Sequence, residues 1–115
     1  MTIQIIKQSA GIQDLRDGGA VARPLSEPAC TTRALALSGA DPHKAGVWEC
    51  TAGRYERQVA EGEVMHILAG RCTFTPTGGP PLRIEAGDTV FFPPKTTGVW
   101  HIEEAMRKVY VVLAG

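Results

Sequence analysis

The sequence predicts an all-β fold, a sandwich or barrel of short strands, and three observations support this. Helical periodicity is nearly absent along the 115 residues, short runs rich in β-branched and aromatic residues follow one another at nearly even spacing, and clusters of glycine and proline separate the runs. Glycine permits a positive φ and proline withholds a ladder donor, so each cluster predicts a turn. A chain of this length forms one domain, residues 1–115.

The apolar runs predict about ten strands. They are Thr2–Lys7, Thr32–Leu37, Val47–Thr51, Arg54–Ala60, Val64–Leu68, Cys72–Thr75, Leu82–Glu85, Thr89–Phe92, Gly98–Ile102 and Lys108–Leu113. Two segments depart from the pattern: Ile12–Arg16 predicts one turn of helix, and Glu103–Lys108 predicts a turn or brief helix between two strands.

The N-terminal part of the chain differs in composition from the rest. Ser9–Cys30 is rich in Gly, Pro, Ser and charged residues, which is typical of a surface arm or an extended lead-in. We therefore divide the domain into residues 1–46, the N-terminal strands and arm, and residues 47–113, the barrel core.

Charge and hydropathy exclude several classes of partner. Twelve basic and twelve acidic side chains cancel, and no basic run exceeds Arg107-Lys108, so we expect no nucleic-acid or anionic-membrane partner. The N-terminus has no signal-peptide pattern, and no apolar stretch approaches the roughly 20 residues that span a bilayer. We expect a soluble, cytoplasmic protein.

The three cysteines predict no disulfide framework and no zinc knuckle. Cys30, Cys50 and Cys72 are odd in number, widely spaced and without a CxxC pair. We expect reduced thiols in or near the core, because a free cysteine packs as a small hydrophobe.

Two stretches carry motifs beyond strand alternation: GVWECTAGRYERQVAEGEVMHILAGRCTFTPTGG and LRIEAGDTVFFPPKTTGVWHIEEAMRKVYVV. As a set, their motifs resemble a small single-domain cupin, and in particular the cupin family of (S)-ureidoglycine aminohydrolase. The resemblance implies a double-stranded β-helix, or jelly-roll barrel. The residues that carry it are Trp48, Thr51-Ala52-Gly53, Glu63, Leu68, Gly70, Arg71, Ala86-Gly87-Asp88, Pro93, Gly98, Trp100, Arg107-Lys108 and Tyr110.

The resemblance also implies a metal, but the expected ligands are missing. Cupin motif spacing anchored on Gly70 keeps the glutamate, at Glu63, and puts the two histidine positions at Arg57 and Val59. The second motif, anchored on Gly87 and Pro93, puts its histidine and asparagine positions at Gly98 and Ile102. A divalent ion is normally held by three or four converging side chains, so we predict no cofactor and no conventional metal site.

Strand alternation separates the remaining histidines from Glu63. Successive strand residues point to opposite faces, so His66 faces away if Glu63 faces the interior. His101 is similarly out of phase with Trp100, and His43 lies in a predicted loop. Should manganese, zinc or iron bind nevertheless, Glu63, His66 and His101 are the fallback ligands.

The same alternation predicts a ligand pocket. Tyr55, Arg57 and Val59 share one face, and the motif geometry adds Glu63. Arg57 and Glu63 are expected to pair where the metal would otherwise sit. The pair is either structural, or Arg57 binds a metabolite carboxylate while Glu63, the candidate catalytic residue, accepts from an amine or acts as a base. The tryptophans suit core packing more than ligand stacking, and the full predicted pocket is Tyr55, Arg57, Val59, Glu63, Trp100 and Trp48.

Three functions remain open from the sequence. The first is a metal-free, homodimeric cupin that binds a small polar metabolite, a carboxylate or an amine. The second is a metal-dependent enzyme resembling (S)-ureidoglycine aminohydrolase, or another small-molecule lyase, isomerase or hydrolase. The third is a structural dimer module in which Thr2–Lys7 adds to a partner's edge strand.

Overall fold

The computed structural model describes residues 2–114, which form eight strands and no helix. Within this range no helix is long and apolar enough to cross a membrane. The all-β prediction is confirmed. The strands are β1 (Arg16–Ala20), β2 (Thr31–Ala36), β3 (Lys44–Cys50), β4 (Gly53–Gln58), β5 (Gly62–Pro76), β6 (Leu82–Glu85), β7 (Thr89–Phe92) and β8 (Thr97–Leu113).

Two long strands organise the sheet. Strands β5 and β8 have 15 and 17 residues and pair with each other along most of their length. The order β1-β2-β3-β8-β5-β6 is antiparallel throughout, while β4 pairs with the first part of β8 and β7 with the first part of β5. Each long strand therefore has different neighbours in its two halves, which lets the sheet close around a core.

Strand β5 joins two predicted strands, Val64–Leu68 and Cys72–Thr75. The turn predicted between them is instead a series of register shifts against β8. Gly70 lies in this bulge with a φ of +89°, and a Cβ there would collide with the carbonyl oxygens of Glu104 and Ala105. Glycine is thus required at position 70 because the backbone of β8 approaches closely, and not because the chain reverses there.

Strand β8 likewise joins Gly98–Ile102 and Lys108–Leu113, so the turn or brief helix predicted between them is wrong. Among the polar residues that suggested a turn, Glu103 and Glu104 lie on the outer face of a continuous strand. There Arg71 of β5 donates hydrogen bonds to Glu103 (2.9 Å) and to Glu104 (3.1 Å).

Strand β1 lies inside the predicted arm Ser9–Cys30 and was not predicted. Its sequence, RDGGA, has low β propensity and all five residues are exposed. It is held as an edge strand by pairing with β2, with a bulge between Asp17 and Gly19. The single helical turn predicted at Ile12–Arg16 is wrong, since residues 12–15 have no regular secondary structure and β1 begins at Arg16.

The strand predicted at Thr2–Lys7 is also absent from the described chain. Residues 2–6 pair with no strand, and the side chain of Gln4 instead exchanges two hydrogen bonds with the backbone of Ser38. Ile3 and Ile5 are left exposed. A strand needs an edge to pair with, and residues 2–6 meet none among the described residues.

Arg107 ties the arm to the outer face of the sheet. Its guanidinium donates to the carbonyl oxygens of Ser9 (3.0 Å) and Ile12 (2.7 Å), and also to Oε2 of Glu49 (2.7 and 3.1 Å). The residue is 6% exposed although it lies on the outer face of β8. Arg107 is therefore covered by the arm that it holds.

The core is centred on three aromatic rings. Phe74 lies 4.5 Å from Phe92 and 5.0 Å from Trp100, centroid to centroid, in tilted and edge-on arrangements. Tyr55 and a set of aliphatic and sulfur-containing side chains surround them: Cys30, Cys50, Val59, Met65, Ile67, Cys72, Ile84, Ile102 and Met106.

Candidate functional site

A cavity of about 400 Å³ opens beside this core, on the inward faces of four strands. Strand β3 contributes Trp48, β4 contributes Tyr55 and Arg57, β5 contributes Glu63, and β8 contributes Lys108 and Tyr110. Another cavity, of about 480 Å³, is lined mainly by threonine, glycine and proline and contains no buried charge. The first cavity is therefore the stronger candidate for a site.

Glu63 lies at the base of the cavity and is 2% exposed. Burial alternates along β5, with Glu63, Met65 and Ile67 inside and Val64 and His66 outside. A lone carboxylate would pay a large desolvation penalty here, so its oxygens need partners.

Both oxygens of Glu63 have a cationic partner. The Arg57 Nη2 atom donates to Oε1 at 3.2 Å, and the Lys108 Nζ atom donates to Oε2 at 2.8 Å. Arg57 keeps 36% of its side chain exposed, whereas the Lys108 side chain is 6% exposed. The carboxylate is thus bridged between one cation that reaches solvent and one that does not.

Lys108 occupies an unusual environment for a lysine. Its Nζ lies 4.5 Å from the centre of the Trp48 ring and 4.0 Å from the Met65 sulfur. Burial lowers the pKa of the Lys108 ammonium, and the Glu63 carboxylate opposes that shift. The ring face and the carboxylate both favour the charged form, while desolvation favours the neutral amine.

Two tyrosines complete the polar lining. Burial raises the pKa of Tyr55 and of Tyr110, and the Glu63 carboxylate adds to both shifts. Both phenols therefore stay protonated at neutral pH and can donate a hydrogen bond to an anion.

The predicted pocket residues divide into two groups. Trp48, Tyr55, Arg57 and Glu63 line the cavity. Val59 and Trp100 do not, because they are buried in the hydrophobic core beside it. Tyr55 is opposite Trp100 in the β4–β8 ladder, so the predicted shared face exists, but the rings of Phe74 and Phe92 occupy the space around Trp100.

The histidines lie away from the cavity, as strand alternation predicts. His66 is exposed, and its Nδ1 lies 2.8 Å from the Thr89 hydroxyl on the outer face of β5. His101 is exposed on β8, and His43 accepts a hydrogen bond from the backbone N–H of Ala114 (3.0 Å) in a loop.

Sequence reasoning missed the role of Lys108. The motif Arg107-Lys108-x-Tyr110 was noted, but only as part of a resemblance. Two-residue alternation from Lys108 through Tyr110 to Val112 puts these side chains on one face of β8. Alternation does not say which face points inward, because Val109 and Val111 on the opposite face are apolar as well. The pairing of β8 with β5 places Lys108 inside.

A model of the EutQ-like cupin domain matches residues 37–110, from just after β2 to within β8. This range covers more than half of the chain. The chain belongs to the EutQ-like cupin family. The jelly-roll fold predicted from the sequence motifs is thereby confirmed.

Solved structures of related cupins are similar in fold. A protein of unknown function of the DUF861 family from Pseudomonas syringae pv. tomato is 26% identical with a TM-score of 0.77, covering 86% of this chain and 44% of its own. A DUF861 family protein from Thermotoga maritima is 30% identical with a TM-score of 0.57 over 58% of this chain and 76% of its own. The EutQ protein of Clostridium difficile is 15% identical, with a TM-score of 0.65 over 78% and 75%.

The chain thus spans less than half the length of the Pseudomonas protein. Among proteins with curated descriptions, none is significantly similar to it in sequence.

The cavity of this EutQ-like cupin domain does not fit a divalent metal. Residues 2–114 contain no group of three or more His, Cys, Asp or Glu side chains able to hold a metal ion. Glu63 is at the cupin glutamate position, but Arg57 and Lys108 engage its two oxygens. Two cations at this distance repel a third positive ion. They also engage Glu63, which is the only buried carboxylate among the described residues.

The three cysteines are free, buried thiols, as predicted. Burial raises the pKa of Cys30, and it raises the pKa of Cys50 and of Cys72 to about 12. A thiol becomes nucleophilic as its thiolate, so these cysteines are suited to packing rather than to catalysis.

Proposed function

We propose that this cupin domain binds a small carboxylate metabolite in the cavity above Glu63. The observation that carries the proposal is the charge of the lining. Two cations, Arg57 and Lys108, surround one buried carboxylate, Glu63, and leave one positive charge uncompensated. The remaining charged residues of the rim, Arg23 and Glu56, face each other at 3.8 Å and cancel.

Arg57 is the side chain best suited to receive the ligand. One of its terminal nitrogens donates to Glu63 and the other donates to the carbonyl oxygen of Gln58 (3.2 Å), so the guanidinium is held in place. Part of it remains exposed to the cavity. A planar, fixed donor fork is the usual partner of a carboxylate.

The carboxylate is favoured over the amine that the sequence left open. An amine would need a free carboxylate, and both oxygens of Glu63 already accept from Arg57 and Lys108. The phenols of Tyr55 and Tyr110 supply further donors, and the Trp48 ring offers an apolar wall.

A thermal-shift screen of small carboxylates and small amines tests this proposal. Carboxylates should raise the Tm and amines should not. Arg57→Ala should remove the shift, while Arg54→Ala, an exposed arginine on the same strand, should keep it. Equal carboxylate shifts in the two variants, or shifts with amines alone, would contradict the proposal.

A metal-dependent enzyme resembling (S)-ureidoglycine aminohydrolase is the alternative, and it depends on the motif resemblance alone. It requires a divalent ion at Glu63, which Arg57 and Lys108 oppose. Elemental analysis of protein purified without chelator is the test. Near-stoichiometric manganese, zinc or iron that is lost in Glu63→Gln would favour this alternative.

We also propose that the domain is a homodimer. Exposed apolar side chains support this: Ile3 and Ile5 on the unpaired arm, and Val64 and Phe91, which are opposite each other on the β5–β7 ladder. The molar mass in solution tests it, and Ile3→Ser/Ile5→Ser should weaken association. A monomer at high concentration would exclude both this dimer and a purely structural dimer module.

A cytoplasmic location remains a proposal. Its support is the state of the cysteines: three free, buried thiols fit a reducing compartment.

A further inference from the structure

Lys108 is the one buried amine among the four lysines of the chain. Lys7, Lys44 and Lys95 are exposed, whereas Lys108 is 5% exposed and yet lines the cavity. If the only task at this position were to neutralise Glu63, an arginine would serve as well and would never lose its charge. A lysine adds a primary amine that becomes a nucleophile when it gives up a proton.

We propose that Lys108 condenses with the carbonyl group of a 2-oxo acid bound in this cavity to form a protonated imine. This rests on the proposed function, because it specifies the carboxylate ligand as one with a neighbouring carbonyl. The cavity would then hold its ligand through a covalent bond to the carbonyl carbon, and not by non-covalent contacts alone.

The condensation balances with the groups present. The Lys108 ammonium gives a proton to Oε2 of Glu63, 2.8 Å away, and the neutral Nζ attacks the carbonyl carbon. As the C–N bond forms, Glu63 returns this proton to the carbonyl oxygen, which gives a carbinolamine. Glu63 then takes a second proton from the nitrogen and passes it to the hydroxyl, which leaves as water. In sum, ammonium and carbonyl give a protonated imine and one water, with no oxidant or reductant.

The charges of the site suit both ends of this reaction. The protonated imine carries the same single positive charge as the ammonium, so the Glu63 carboxylate has a buried counter-ion both before and after the reaction. The Trp48 ring, 4.5 Å from Nζ, favours a cation in either state. Burial, which lowers the pKa of Lys108, makes the neutral amine more accessible than in an exposed lysine.

The spacing of the two cations suits a 2-oxo acid. Arg57 Nη2 and Lys108 Nζ are bound to the two oxygens of one carboxylate, at 3.2 and 2.8 Å. The two groups are therefore held as near neighbours. In a 2-oxo acid the carbonyl carbon is bonded directly to the carboxyl carbon, so Arg57 can hold the carboxylate while the carbonyl meets Lys108.

Reductive trapping tests the inference. The full chain is incubated with pyruvate and sodium cyanoborohydride, which reduces a protonated imine to a stable amine, and the labelled lysine is identified by peptide mass spectrometry. We expect one adduct, at Lys108. Lys108→Arg should lose it, Lys44→Arg should keep it, and Glu63→Gln should form it more slowly.

The outcomes separate this inference from the proposed function. Pyruvate that raises the Tm without labelling Lys108 would overturn the imine and leave the carboxylate site intact. If neither pyruvate nor any other 2-oxo acid or carboxylate in the screen raises the Tm or labels Lys108, the imine and the carboxylate site are both refuted. Labelling confined to Lys7, Lys44 or Lys95 would also refute the inference. The wild-type peptide map decides the matter even if Lys108→Arg does not fold.

Discussion

Glu63 and Lys108, 45 residues apart in the chain, form an ion pair of 2.8 Å inside the barrel. Lys108 is opposite Ile67 in the β5–β8 ladder, and its side chain runs along the strand past Met65 to reach Glu63. The pair is therefore a product of strand register. Glu63 and Lys108 each neutralise the other's buried charge. Removing either side chain should therefore destabilise the fold.

Lys108→Met should lower the free energy of unfolding by about 3–5 kcal/mol, because it leaves Glu63 buried with only Arg57 as a partner. Arg71→Met, which breaks two exposed pairs, with Glu103 and Glu104, should cost much less, because exposed ion pairs are screened by solvent. Urea denaturation measures both. Equal costs would mean that the Glu63–Lys108 pair is solvated, contrary to the structure.

Phe92→Ala should lower the free energy of unfolding by about 3–5 kcal/mol, because Phe92 packs 4.5 Å from Phe74 in the core. Its neighbour Phe91 is 57% exposed, and Phe91→Ala should change the stability of the monomer, measured at low protein concentration, by no more than about 0.5 kcal/mol. Paired denaturation curves provide the measurement. A reversed order would mean that the register of β7 is shifted by one residue.

Arg107→Ala should free the N-terminal arm, because Arg107 donates to the carbonyl oxygens of Ser9 and Ile12. Trypsin cleavage after Lys7 and Arg16 should then become faster. Arg33→Ala is the matched control, since Arg33 pairs with Glu49, as Arg107 does, but makes no hydrogen bond to the arm. If both variants are cleaved at the wild-type rate, Arg107 does not hold the arm.

Stability should fall at alkaline pH, partly through Cys50. Burial raises its pKa from 9.0 to about 12, so above pH 9.0 the unfolded state releases a proton that the folded state keeps. The contribution is fully present below pH 9.0 and is lost as the pH rises toward 12. Urea midpoints measured across this interval should fall less steeply in Cys50→Ala than in the wild type, and parallel slopes would refute the assignment.

The sequence alone predicted the all-β fold, and alternation placed Glu63 and His66 on opposite faces of their strand. It also predicted the pairing of Arg57 with Glu63, which the structure contains at 3.2 Å. The fold and the opposite faces depend on the two-residue period of a strand, which is a local property. The pairing of Arg57 with Glu63 followed from the motif resemblance.

The secondary-structure predictions that were wrong concern segments whose structure depends on contacts with residues distant in sequence. Gly70 predicts a turn by its chemistry, but the approach of Glu104 and Ala105 makes it a bulge within β5. The polar run at Glu103 is strand because Arg71 lies opposite. Residues 2–6 have strand-like composition but meet no edge in the described chain.

The same distinction between local pattern and non-local contact applies to the candidate site. Alternation put Tyr55 and Arg57 on one face, and the motif resemblance predicted that this face points inward and includes Glu63. Only the tertiary structure determined that Trp100 is enclosed by Phe74 and Phe92, and that Lys108 is the second partner of Glu63. Alternation fixes the face to which a side chain points, whereas the register of β5 against β8, with its bulges, fixes which side chains meet.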